Sequence, residues 1–65
     1  MTEYYIEMQD AEGTSYGSTD IMDNIIYYDD LDEARMDAKN SLSDFFVVSR
    51  IIDTQTKRVV DFFVG

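Results

Sequence analysis

Sixty-five residues with five Lys/Arg against fourteen Asp/Glu carry a net charge of −9. The length specifies one small domain, residues 1–65, which buries only roughly 60% of the surface its unfolded chain exposes. The lack of Cys and His excludes a disulfide framework and thiolate chemistry and argues against a structural zinc site, while the aromatic content (five Tyr, four Phe) argues against disorder.

In chain order, Glu3–Gln9 alternates, with Tyr4, Ile6 and Met8 on one face and Glu3, Tyr5 and Glu7 on the other, the pattern of a half-buried strand. Asp10-Ala-Glu-Gly13 reads as a turn in which Gly13 supplies a positive φ. Gly17 to Asp20 is loop-like, and Thr19 is placed to cap a short helical turn through Ile21, Met22, Ile25 and Ile26. The β-favouring run Ile25–Tyr28 instead supports a loop followed by a second strand over Asn24–Tyr28, which is the expectation adopted.

A helix follows. Asp30 as N-cap with Glu33 three residues on forms a capping box, and Asp32 and Glu33 lie in the first turn, where carboxylates favour the helix dipole. Leu31, Ala34, Ala38 and Leu42 make its apolar stripe, and Asn40, Ser41 and Ser43 end it near Leu42. Phe45–Ile52 reads as the strongest strand, Asp53–Lys57 as a hairpin loop and Val59–Val64 as the return strand. The sum is an α+β domain of order β-β-α-β-β: a small antiparallel sheet with one helix packed on one face. The strands of residues 45–64 are apolar on both sides, so the face without the helix either meets a second copy or a partner, or stays partly exposed with the 14–24 loop covering the rest.

No chemistry-bearing motif is present. Ser and Thr lack a His base, the clusters Asp20/Asp23/Asn24 and Asp29/Asp30/Asp32/Glu33 do not match EF-hand spacing, and no phosphate-binding glycine loop occurs. The expectation is therefore no enzymatic activity, no cofactor and no metal. Neither a signal peptide nor a membrane-spanning run is evident, which points to the cytoplasm. A basic footprint for direct nucleic-acid binding is also missing.

The charge distribution is the informative feature. Residues 1–34 hold ten acids and no base, whereas residues 35–65 hold four acids and all five bases. Duplex DNA carries one phosphate charge per roughly 3.4 Å along each strand. Carboxylates on alternate strand positions sit about 6–7 Å apart, and a following helix N-terminus adds more. Glu3, Glu7, Asp20, Asp23, Asp29, Asp30, Asp32 and Glu33 are the candidate charge partners, with Tyr5, Tyr27 and Tyr28 as rim or anchor contacts.

In its base-free acidic run from Glu3 to Glu33, its aromatic pairs Tyr4-Tyr5 and Tyr27-Tyr28 and its lack of His and Cys, the chain resembles small acidic proteins that phages and mobile elements encode to block host nucleic-acid enzymes, DNA mimics among them. That resemblance implies an inhibitor in the host-cell cytoplasm. It would dock on the basic, nucleic-acid-binding surface of a target protein and contact neither nucleic acid nor membrane. The rival expectation is a small homo-oligomeric assembly protein, a homodimer in its simplest form, joined through the two-sided apolar 45–64 hairpin.

Overall fold

A computed structural model describes residues 2–65. The elements are β1 (Tyr4–Asp10), β2 (Ser15–Gly17), α1 (Leu31–Asn40), β3 (Phe46–Asp53) and β4 (Val59–Val64). The four strands form one antiparallel sheet in the order β2-β1-β3-β4, with α1 across one face: the α+β, β-β-α-β-β architecture expected.

β1 follows its alternation, burying Ile6 and Met8. Its exit is built by one side chain. Asp10 Oδ1 accepts the backbone N–H groups of Glu12 and Thr14, both at 2.9 Å, and Gly13 takes φ 88°. This closure returns the chain at once, so the second strand is Ser15–Gly17 and not Asn24–Tyr28. Residues 24–28 form no strand; their backbone joins the sheet by isolated bridges, Thr19 to Ile25 and Tyr4 to Tyr28. Between them Asp20 Oδ1 accepts the N–H groups of Met22 (2.8 Å) and Asn24 (3.1 Å), and Asp23 adopts φ 65°. A tight turn therefore replaces a Thr19-capped helix.

Asp30 caps α1 by accepting from Asp32 N at 2.9 Å, one residue earlier than a capping box places that bond. The helix stops at Asn40, two residues before Leu42, where the Ser41 hydroxyl donates to the Asp37 carbonyl at 2.8 Å and competes with the helical ladder. Ala34 and Ala38 are fully buried; being small, they let the helix backbone approach the sheet. The core comprises Ile6, Met8, Tyr28, Ala34, Ala38 and Ile51, with Tyr4, Ile26, Leu31, Phe46 and Phe63 packed against it.

β3 begins at Phe46, one residue later than expected. The register passes from Gln9–Val48 to Asp10–Phe46, so Val47 is the extra residue of a bulge. The bulge turns Phe46 onto the core, whereas alternation alone puts it on the face opposite Ile51. At the hairpin, Asp53 Oδ1 accepts from Gln55 N (2.8 Å) and Thr56 N (3.2 Å), and β4 then runs over the expected residues.

The other sheet face has no helix. Register places Tyr5, Glu7 and Gln9 there beside Val48, Arg50 and Ile52, followed by Phe62 and Val64. Phe62 is 60% and Val64 65% exposed. Among the described residues, no helix is long and apolar enough to cross a membrane.

Candidate functional site: an acidic corner

The Tyr4–Tyr28 bridge determines which candidate residues meet. Tyr4 N donates to Tyr28 O (2.7 Å) and Tyr28 N to Tyr4 O (2.8 Å), so the flanking antiparallel positions are Glu3 opposite Asp29 and Tyr5 opposite Tyr27. Glu3 and Asp29 thus adjoin the helix start, where Asp30, Asp32 and Glu33 follow. All five carboxylates are exposed. Tyr5 and Tyr27 meet edge-on with centroids 6.4 Å apart, and Tyr27 stays 56% exposed. Together they form an acidic corner bordered by an aromatic pair.

Not every candidate belongs to it. Glu7 lies directly across from Arg50, and their side chains close at 2.6 Å between Oε1 and Nη2. Its charge serves the open sheet face and is neutralised there. Asp20 and Asp23 occupy the turn of the Thr19–Ile25 excursion, where the Asp20 carboxylate is used for backbone closure. Asp32 shares Arg35 with Asp61, at 3.2 and 2.9 Å respectively. Asp30 spends one oxygen on the cap but keeps its charge exposed. Among the described residues the ion pairs are these three, so Glu3, Asp29 and Glu33 have no cationic partner.

Tyr28 is only 7% exposed and forms part of the core, not a rim contact. Its hydroxyl donates to Asp37 Oδ2 at 2.7 Å. Burial, then that hydrogen bond, then the charges of Asp37 and Glu33 push its phenol up to about 12 from 10.0. Sequence alone had no means of separating the members of the Tyr27-Tyr28 pair. The bridge does so, sending Tyr28 into the core and leaving Tyr27 outside.

A concave feature lies at the opposite end of β1. Asp10, Ala11, Glu12, Tyr16, Asp44 and Phe45 line a cleft of about 430 Å³. Tyr16, Phe45 and Phe46 pack there with centroids 4.9–5.8 Å apart. The Tyr16 hydroxyl donates to Asp10 Oδ2 at 3.1 Å. Desolvation raises the Asp10 carboxyl, but donations from Thr14, Glu12 and Tyr16 outweigh it and hold the group below its usual range. The lining supplies carboxylates and aromatic rings, with no Lys or Arg among its residues.

No protein-family model, curated protein or solved structure matches the chain. The functional reading therefore rests on geometry and charge.

Proposed function

We propose that this domain is a non-enzymatic binding module that docks its acidic corner on the basic, nucleic-acid-binding surface of a cytoplasmic target protein and competes there with DNA or RNA. The supporting observation is the convergence of Glu3, Asp29, Asp30, Asp32 and Glu33 beside exposed Tyr27, with only Arg35 among the bases paired to any of them. Carboxylates held in the first helical turn are pre-oriented, and the fold gains little from them beyond the cap. Their like-charge repulsion is relieved when an external cationic surface approaches. The same field would steer encounter over roughly a Debye length of 8–10 Å, so binding would weaken steeply with salt.

The test is capture from a lysate at low and high salt, with duplex DNA as competitor, comparing the wild-type chain with a Glu3→Gln/Asp29→Asn/Glu33→Gln variant. The expected result is a set of nucleic-acid-binding proteins retained by the wild type at low salt, displaced by DNA and lost with the variant. Equal retention by the variant at low salt would overturn the reading.

A further inference from the structure

The sheet has two edges. β2 offers three residues, Ser15–Gly17; β4 offers six, Val59–Val64. Natural edges are guarded by Lys, Pro, bulges or inward charges. In β4 the guards sit at its start: a register shift opposite Ile51/Ile52 and the inward-facing Asp61 held by Arg35. The stretch Phe62–Val64 has neither Lys nor Pro.

The hydrogen-bond phase shows which backbone groups are open. Gly65 N donates to Val47 O, so alternation along the ladder turns residues 61 and 63 toward β3 and residues 62 and 64 away. Phe62 N agrees with this phase. It donates not to β3 but to Asp61 Oδ1, at 2.9 Å. The Val64 amide and the carbonyls of Phe62 and Val64 thus face outward along an edge whose side chains are also exposed. A row of outward N–H and C=O groups fits one kind of occupant, an extended strand.

Charge selects which strand. On a chain of −9 a second copy is repelled almost everywhere, but bases outnumber acids along the hairpin that carries this edge. Arg50 lies in β3 with its guanidinium on Glu7 of β1, and Lys57 and Arg58 lead into β4, Lys57 with its Nζ 5.7 Å from the Tyr5 ring centroid. Arg35 binds Asp61, and Lys39 sits 5.3 Å from the Phe63 ring centroid. From Phe46 to Val64 three bases face two acids, Asp53 and Asp61. This is the side through which two copies can approach without opposing carboxylate fields. β4 paired antiparallel with itself is also self-complementary, as a two-fold interface requires.

We propose that the protein forms a two-fold dimer by antiparallel β4–β4 pairing about Phe63, which sets Phe62 opposite the partner's Val64 and joins two sheets into one of eight strands. Pairing replaces the Phe62–Asp61 bond with a partner carbonyl and brings the exposed Phe62 and Val64 side chains of the two copies together. The acidic corners stay outside the seam.

Sedimentation equilibrium across micromolar to millimolar concentration, with amide hydrogen exchange at each end of the range, tests this. The expected result is a monomer–dimer equilibrium in which the Val64 amide gains at least tenfold protection on association. Phe62→Lys and Val64→Pro should each weaken association at least tenfold while retaining the circular dichroism of the wild type. The proline removes a donor that β3 does not use. Tyr27→Lys, away from the edge, should dimerise as the wild type does. A wild-type monomer throughout, an open polymer, or a dimer whose Val64 amide gains no protection would overturn the proposal. The wild-type exchange result decides the matter even if a substituted chain fails to fold.

Discussion

Removing one oxygen from Tyr28 probes how the acidic helix is attached to the sheet. The ring is 7% exposed and its hydroxyl meets Asp37 Oδ2 at 2.7 Å, so Tyr28→Phe keeps the packing and deletes the bond. A hydrogen bond to a charged acceptor contributes about 1.5–3 kcal/mol; Asp37 is only half-buried, which brings the expected loss to about 1–2 kcal/mol. For a domain this small each kcal/mol moves Tm by about 4–8 °C. The phenol adds a pH signature. Its folded value, about 12, lies above the unfolded 10.0. The bond's stabilisation is therefore fully present below pH 10 and is lost as pH rises from 10 toward 12. Urea unfolding of both chains at pH 7, 9, 10 and 11 should show a gap that narrows only above pH 10. A gap under about 0.3 kcal/mol at pH 7, well short of the hydrogen-bond range, would refute the argument. So would a gap that stays constant to pH 11.

Two further substitutions test the packing and the sorting of acids. The Ser49 hydroxyl is fully buried with no hydrogen-bond partner, so Ser49→Ala should raise stability by about 1 kcal/mol in urea unfolding; a loss would reveal an internal water or partner for that oxygen. Glu7→Gln should cost about 1 kcal/mol, because it leaves the partly buried Arg50 without its carboxylate, whereas Glu33→Gln should stay within about 0.5 kcal/mol of the wild type. Equal effects of these two on thermal unfolding would mean that Glu7 is no more structural than Glu33.

Legibility tracked the range of the interactions involved. β1, the Asp30 start of the helix and the β3–β4 hairpin rest on local periodicity and caps, and these were readable. β2 was not: Ser15-Tyr16-Gly17 has little strand character and pairs because Asp10 and Gly13 close the turn before it. The Ile25–Tyr28 run imitates a strand, yet Ile26 and Tyr28 pack on the core while Ile25 and Tyr27 are exposed. The bulge at Val47, which reassigns Phe46 to the core, leaves no mark in the pattern. For the acids, counting found the excess but could not sort it. The neutralisation of Glu7 depends on an Arg 43 residues away, which only the register places opposite.

Sheet order carries much of the charge imbalance along the chain across the molecule; an exception is the β3–β4 hairpin, which bonds Thr54 N to Glu3 O and brings Lys57 Nζ to 5.7 Å from the Tyr5 ring centroid. Had β4 paired with β2 or β1, the bases of the second half would have been threaded among the acids of the first. The order β2-β1-β3-β4 keeps the strands of each half on their own side, with β1 and β3 as the seam. At that seam Glu7 and Arg50 form an ion pair between the two halves. The helix follows the same division: Asp32 and Glu33 lie in its first turn beside the Glu3–Asp29 pair, while Lys39 in its last turn reaches Phe63 of β4. Each of those placements also suits the helix dipole, so local stability and global polarity agree. The two proposed surfaces follow from this division. The corner that keeps its carboxylates unpaired attracts a cationic partner, and the β4 edge offers its outward backbone groups to the same edge of a second copy.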